Sequence, residues 1–235
     1  MDKTIIAVGG GEIREKTTLK IDEYIASLAK KRAGERRARA LFIGTASHDH
    51  MPYFNSFRKT YTSVFDIKAD VALTVFRPSG YERLKEKFLA ADMIYVGGGD
   101  TAFMIKSWKE SGLDLLVKDA YERGVIVSGL SAGAICWFEK MYTDSEIVSG
   151  DGADYKIMDA LGYLKGLACP HYDERRADFD EELLKVGGSA LAIENDCACL
   201  FENGEIVGAV SAGGRAYTLS ASEGKIKKTE IQIIK

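Results

Sequence analysis

The sequence lacks a charge excess of one sign and lacks any long apolar run. Its 32 Lys and Arg residues nearly balance its 35 Asp and Glu residues, which leaves a formal net charge of −3. We therefore expect neither a nucleic-acid partner nor a membrane partner. The charged start at Met1–Val8 contains an apolar stretch too short for a signal peptide or a membrane span. A cytoplasmic location is expected.

Potential metal ligands are also few and scattered. The cysteines are Cys136, Cys169, Cys197 and Cys199. They lack the spacing of zinc ligands, and we expect them to be reduced thiols. His48 and His50 flank Asp49, but no further ligand cluster of recognisable spacing accompanies them, so a solvated loop is favoured over a metal site. We expect no metal and no cofactor.

Short apolar runs alternate with amphipathic segments through the first half of the chain. Strand-like runs such as Thr4–Val8, Ala38–Ile43 and Asp92–Val96 are separated by helical patterns such as Ile21–Leu28. This alternation predicts an α/β fold with a doubly wound, mostly parallel sheet flanked by helices. Later strand-like runs, two of them joined at Asn203-Gly204, predict a C-terminal antiparallel extension. With no repeat and no linker, residues 1–235 are predicted to form a single domain.

The segment Gly124–Phe138 carries the strongest catalytic pattern. It consists of an apolar strand, a turn of the form Gly129-x-Ser131-x-Gly133 and a helix-compatible run. A serine on so tight a turn has a strained backbone, a projecting hydroxyl and N–H groups nearby that can stabilise an oxyanion. We predict a nucleophile elbow with Ser131 as the nucleophile. The alternative is a glycine-rich connection in which Ser131 only caps a helix.

Two other glycine-rich segments follow predicted strands. Gly9–Gly11 fails the dinucleotide pattern G-x-G-x-x-G, because Arg14 stands at the position of the last glycine. Gly97–Thr101 lacks the Lys-Ser/Thr ending of a Walker loop. Its glycines allow close approach of the backbone, so we predict that this loop supplies a second N–H to an oxyanion hole. The alternative is a loop that only caps the following helix.

A serine nucleophile needs a base, and His171 is the only histidine after the predicted elbow. It follows Pro170 at the end of a short strand-like run, and the proline fixes the backbone direction. A carboxylate is then required to orient the imidazole. Glu194, which follows the run Ala190–Ile193, is the first candidate, and Asp144 is the alternative.

Four motifs resemble those of the serine peptidase family of aspartyl dipeptidase (peptidase E) and cyanophycinase. They are Val96–Thr101, Gly129–Ala134, Cys169–Tyr172 and Ile193-Glu194. The resemblance extends over most of the chain, and the motifs occur in the family's order. It implies a flavodoxin-like fold similar to that of class I glutamine amidotransferases, with a serine in place of their cysteine.

The resemblance also implies roles for individual residues. The implied catalytic triad is Ser131, His171 and Glu194. The implied oxyanion donors are the N–H groups of Ala132 and of Gly98 or Gly99. Aspartyl dipeptidases cleave dipeptides with an N-terminal aspartate, which calls for a cation near the site, and Arg175 or Arg176 could supply it. The candidate substrate-binding residues are Asp100, Asp144 and Arg175.

The expected function is therefore that of a serine-type peptidase acting on short peptides through an acyl-enzyme, with dipeptides carrying an N-terminal aspartate as one substrate class. The expected partner is a small peptide substrate, and the one protein partner considered is a second copy of the chain in a homodimer. Two alternatives stay open at this point. One is an amidase or acyl-transfer enzyme on the same fold, and the other is a catalytically silent binding module.

Overall fold

The computed structural model describes residues 2–234, so Met1 and Lys235 lie outside it. The strands are β1 (Thr4–Val8), β2 (Arg39–Ile43), β3 (Lys68–Ala72), β4 (Met93–Val96), β5 (Ile126–Leu130), β6 (Phe138–Thr143), β7 (Lys156–Asp159), β8 (Leu164–Cys169), β9 (Gly188–Ile193), β10 (Cys197–Glu202), β11 (Glu205–Ser211), β12 (Ala216–Ser222) and β13 (Lys225–Glu230). The helices are α1 (Leu19–Ala33), α2 (Met51–Ser63), α3 (Tyr81–Ala90), α4 (Thr101–Ser111), α5 (Leu113–Glu122), α6 (Ala132–Ile135), α7 (Ser145–Ser149) and α8 (Tyr172–Val186).

These strands form two sheets. The first has the order β11-β10-β1-β5-β4-β2-β3, in which the five strands from β1 to β3 are parallel and the pair β10 and β11 is antiparallel. The second has the order β13-β12-β9-β8-β6-β7, with a parallel centre and antiparallel edges. The predicted α/β class is confirmed, and so are the C-terminal antiparallel strands. The division into two sheets was not expected.

Side-chain alternation along the central strands explains why helices cover both faces of the first sheet. Strand β1 is buried at every residue, as expected for a strand in the middle of a parallel sheet. Ile5 and Ala7 pack in a cluster with the α4 and α5 side chains, whereas Ile6 and Val8 pack in another cluster with those of α1 and α2. A strand that is apolar on both faces therefore requires a helical layer on each side.

The site is positioned where the two sheets meet at the carboxyl ends of their parallel strands. Strands β1, β4 and β5 end next to one another, with Val8 opposite Leu130 and Val96 opposite Gly129. From the second sheet, β8 ends just before His171, whose N–H donates to the carbonyl of Gly9 at 3.0 Å. Ligand sites of open α/β sheets lie at this edge.

The helix that follows β5 is shorter than the sequence predicted. Helix α6 covers only Ala132–Ile135, and strand β6 of the second sheet begins at Phe138. The chain therefore passes from one sheet to the other directly after the predicted elbow. Among residues 2–234, no helix has both the length and the apolar composition needed to cross a bilayer.

Candidate active site

Ser131 lies on a strained turn between β5 and α6. Its backbone has φ 54° and ψ −109°, a region that L-residues rarely occupy, and its N–H donates to the carbonyl of Val8 at 2.9 Å. The flanking glycines permit this bend: a Cβ on Gly129 would overlap the backbone of Gly133, and one on Gly133 would overlap that of Val96. The local geometry is that of a nucleophile elbow.

His171 lies beside this serine. Its backbone is left-handed, with φ 50° and ψ 39°, at the point where β8 leads into α8. Its Nε2 is 2.8 Å from Oγ of Ser131. The structure thus brings together two side chains that are 40 residues apart in sequence. At this distance the imidazole can accept the hydroxyl proton.

Asn195 contacts the other nitrogen of the imidazole. Its Oδ1 is 2.7 Å from Nδ1 of His171. The asparagine amide orientation follows from its own partners, because Nδ2 donates to Oδ2 of Asp173 at 3.0 Å and to Oε1 of Glu174 at 2.6 Å. Since a carboxylate can only accept, the amide oxygen must face His171. Nδ1 then carries the proton, and the lone pair of Nε2 faces Ser131.

The structure corrects the expected contact between Glu194 and His171. The Glu194 carboxylate accepts a hydrogen bond from Nη2 of Arg176 at 2.9 Å and another from the N–H of Arg215 at 3.0 Å. Strand β9 ends at Ile193 and Asn195 lies in the turn that follows, where the two neighbouring side chains do not both face the imidazole. Asn195 is the residue that does, and a search for a carboxylate could not have found it.

The three predicted oxyanion donors differ in whether their N–H groups already have an acceptor within the protein. The Gly98 N–H donates to the hydroxyl oxygen of Tyr53 at 3.4 Å. Within the described part of the chain, the N–H groups of Gly99 and Ala132 have no protein acceptor. Two of the predicted donors are therefore available to a ligand beside Ser131.

A cavity of about 510 Å³ opens beside the serine. It is lined by Gly11, Glu12, Ile13, Arg14, His50, Pro52, Tyr53, Ser56, Gly98, Gly99, Leu130, Ser131 and His171. The cavity has both an apolar wall and charged groups. Glu12 and Arg14, from the loop after β1, line its edge, and the largely exposed Arg14 guanidinium lies 3.6 Å from the carboxylate of Glu15. Neither residue was expected to bind substrate.

The three predicted substrate-binding residues, Asp100, Asp144 and Arg175, do not line this cavity. Asp100 caps helix α4, where its carboxylate accepts the N–H of Phe103 at 3.0 Å. Asp144 pairs with buried Arg175 at 2.7 Å. The charged groups of these three residues are therefore bound within the fold, and none of the three lines the cavity. Asp144, the alternative orienting acid, is likewise bound to Arg175 and not to His171.

Cysteine chemistry is disfavoured at this site. Burial raises the pKa of all four thiols above their ordinary value, and it raises that of Cys197 to about 12. Cys136, five residues after the nucleophile position, is fully buried and donates to the carbonyl of Gly133 at 3.6 Å. In residues 2–234, no group of three or more His, Cys, Asp or Glu side chains is arranged to hold a metal ion.

The known proteins that are similar to this chain are peptidases. Residues 5–208 match the family described as Peptidase family S51. The uncharacterized peptidase YgaJ of Bacillus subtilis (strain 168) is 34% identical, and the match covers 98% of each chain. Peptidase E of Salmonella typhi is 28% identical over 66% of this chain and 81% of its own. A crystal structure of a peptidase from an acI-B1 Actinobacterium has the same fold, with a TM-score of 0.76 at 14% identity, over 100% of this chain and 96% of that one.

Proposed function

The chain belongs to peptidase family S51, and from that premise we propose that it is a serine peptidase whose nucleophile is Ser131. The observation that carries the proposal is the 2.8 Å distance between Oγ of Ser131 and Nε2 of His171. The strained backbone of Ser131 supports it, because strain of this kind is retained where surrounding structure and function require it.

In the first half of the proposed reaction, Oγ of Ser131 attacks the carbonyl carbon of the scissile bond while His171 accepts the hydroxyl proton at Nε2. Asn195 keeps the proton of Nδ1 in place, so that Nε2 is the basic nitrogen. The carbonyl oxygen becomes an oxyanion beside the N–H groups of Gly99 and Ala132. When the C–N bond breaks, His171 returns its proton to the leaving amine, and an acyl-enzyme remains on Ser131.

In the second half, a water molecule attacks the acyl carbon and gives a proton to Nε2 of His171. The C–O bond to Ser131 then breaks, and His171 returns that proton to Oγ. Every proton removed in the cycle is restored by the same imidazole. The chemistry needs no cofactor.

We infer that the substrates are short peptides with a free amino terminus. The carboxylate of Glu12 on the cavity wall is suited to an α-ammonium group, and the guanidinium of Arg14 to a carboxylate. A dipeptide with an N-terminal aspartate carries both groups. Arg14 therefore takes the substrate-binding role that was expected of Arg175 or Arg176.

The test compares wild-type protein with the Ser131→Ala variant on a dipeptide panel that includes Asp-X, Ala-X and Lys-X. Loss of the nucleophile should lower kcat/KM by a factor on the order of 10⁴ or more. A fluorophosphonate probe should label wild-type protein and not the variant. Ser149→Ala, which removes an exposed hydroxyl on α7, is the matched control and should retain both activities.

The same measurements separate the alternatives. Hydrolysis of the panel by Ser131→Ala at the wild-type rate would contradict the proposal. Release of ammonia from amide substrates with no cleavage of peptides would identify an amidase on the same fold. A wild-type protein that binds peptides of the panel but neither hydrolyses them nor reacts with the probe would be a binding module.

A further inference from the structure

Tyr53 lines the cavity and contacts the loop Gly97–Thr101, which carries two of the predicted oxyanion donors. It belongs to α2, and its hydroxyl oxygen accepts the N–H of Gly98 at 3.4 Å. Its ring packs edge-on against Phe42, with centroids 5.1 Å apart. It also packs against the backbone of Gly97, where a Cβ would lie only 2.8 Å from Cε1 of Tyr53. The position of the hydroxyl is therefore held by packing as well as by its hydrogen bond.

The loop that binds this hydroxyl also adjoins the proposed nucleophile. A Cβ built on Gly98 would lie 3.3 Å from Cβ of Ser131, and Tyr53, Gly98 and Ser131 all line the same cavity. Since the Gly98 N–H is directed at Tyr53, the group that this part of the loop presents to a ligand is the tyrosine hydroxyl and not the glycine amide.

The hydroxyl proton is free to be donated. Among residues 2–234, Gly98 is the only hydrogen-bond partner of the Tyr53 hydroxyl, and in that bond the oxygen accepts. Burial raises the pKa of Tyr53 above its ordinary value of 10, so the hydroxyl stays protonated at neutral pH. A hydroxyl that accepts one hydrogen bond is polarised and becomes a better donor in the next.

We propose that the hydroxyl of Tyr53 is a third hydrogen-bond donor to the oxyanion, in addition to the N–H groups of Gly99 and Ala132. The interaction forms a chain in which Gly98 donates to Tyr53 and Tyr53 donates to the oxyanion, and no proton is transferred along it. The inference rests on the proposed function of Ser131, because an oxyanion arises only when that serine attacks a carbonyl.

The experiment replaces Tyr53 with phenylalanine, which keeps the ring and removes the hydroxyl. Loss of one oxyanion donor typically lowers kcat by about 10²-fold to 10³-fold. We expect Tyr53→Phe to lower kcat by at least about tenfold with little change in KM, because the donor acts mainly on the transition state. A peptidyl boronate, which resembles the tetrahedral intermediate, should bind correspondingly more weakly to the variant. The binding of a dipeptide product should not change.

Tyr95→Phe is the matched control. It removes a buried hydroxyl from the same aromatic cluster, where Tyr95 also packs against Phe42, and Tyr95 does not line the cavity. Thermal unfolding of both variants reports any loss of folding. Tyr53→Phe should stay within a few degrees of wild type, and Tyr53→Leu, which also lacks the hydroxyl, should show the same loss of kcat.

The outcomes distinguish this inference from the proposed function. If wild-type protein reacts with the fluorophosphonate and hydrolyses peptides but Tyr53→Phe does so equally well, Tyr53 is not a donor and the function of Ser131 stands. Faster turnover by Tyr53→Phe would mean that the hydroxyl blocks the oxyanion hole, which also overturns the inference. If wild-type Ser131 does not react at all, both proposals fail together.

Discussion

Oδ1 of Asn195 lies 2.7 Å from Nδ1 of His171, in the place where a carboxylate was expected. The neutral amide adds no negative charge beside the imidazole. It is instead oriented by two carboxylates behind it, those of Asp173 and Glu174. The arrangement therefore selects the imidazole tautomer by the direction of a hydrogen bond and not by direct ion pairing.

We predict that Asn195→Ala impairs turnover more than substrate binding. Without its acceptor, the Nδ1 proton of His171 is no longer held, and a fraction of the imidazole adopts the tautomer that cannot take the Ser131 proton. Because general acid–base catalysis contributes about 10²-fold to 10⁴-fold, kcat should fall by about 10²-fold with KM nearly unchanged. Steady-state kinetics on the best dipeptide measures both. Asn55→Ala, at an exposed position of α2, should have no effect.

Asp173 should act through Asn195. Its carboxylate accepts the side-chain Nδ2 of Asn195 and also the backbone N–H of that residue at 2.8 Å. Asp173→Asn should lower kcat about tenfold, since a hydrogen bond to a charged group contributes about 1.5–3 kcal/mol. In an Asn195→Ala background, Asp173→Asn should lower kcat little further, and a double-mutant cycle measures this non-additivity. Glu181→Gln, at an exposed position of the same helix, is the control. Full additivity of the two changes would refute this coupling.

Gly10→Ala should inactivate the enzyme by steric displacement. The Gly10 backbone approaches the His171–Asn195 pair so closely that a Cβ would overlap both side chains. A shift of about 1 Å in a catalytic group can cost about 10²-fold, so we expect kcat to fall at least that far. Gly80→Ala is the matched control, because a Cβ there meets nothing within 4 Å and φ is −58°. Wild-type kinetics in Gly10→Ala would show that the imidazole tolerates displacement.

The stability of the fold should depend on pH through Asp22. Its side chain is buried between Thr18 and Tyr61, and burial raises its pKa from 3.8 to about 6. Because the folded state binds the proton more tightly than the unfolded state does, the free energy of unfolding contributed by this group is greatest below about pH 4. It falls as the pH rises to about 6 and is level above that.

Replacement of Asp22 by Asn removes this dependence. Relative to wild type, the free energy of unfolding of Asp22→Asn should rise by on the order of 3 kcal/mol between about pH 3.5 and about pH 8. Urea denaturation at the two pH values measures the difference. Glu23→Gln, at the exposed neighbouring position of α1, should show no such change. A constant difference between Asp22→Asn and wild type would contradict the predicted ionisation of the buried carboxylate.

The sequence alone was sufficient for the features that short-range sterics determine. Alternating apolar runs predicted the α/β class because a parallel strand must be covered on both faces. Gly129-x-Ser131-x-Gly133 predicted the strained turn because only glycines fit beside the serine there. The placement of His171 beside Ser131 followed from the position of one histidine at the end of a strand, where the sites of such sheets form.

Only the tertiary structure decided which side chains complete the site. Whether Glu194 or Asn195 faces the imidazole depends on the turn that follows β9 and on groups of α8. Arg176 pairs with Glu194, and the carboxylates of Asp173 and Glu174 hold the Asn195 amide. The contact of Tyr53 with Gly98 depends on how α2 packs over β4, and no local pattern encodes that packing. The directions of neighbouring side chains in a turn depend on the backbone of the turn and on its contacts with distant segments. The local sequence therefore does not determine which of the two faces the imidazole.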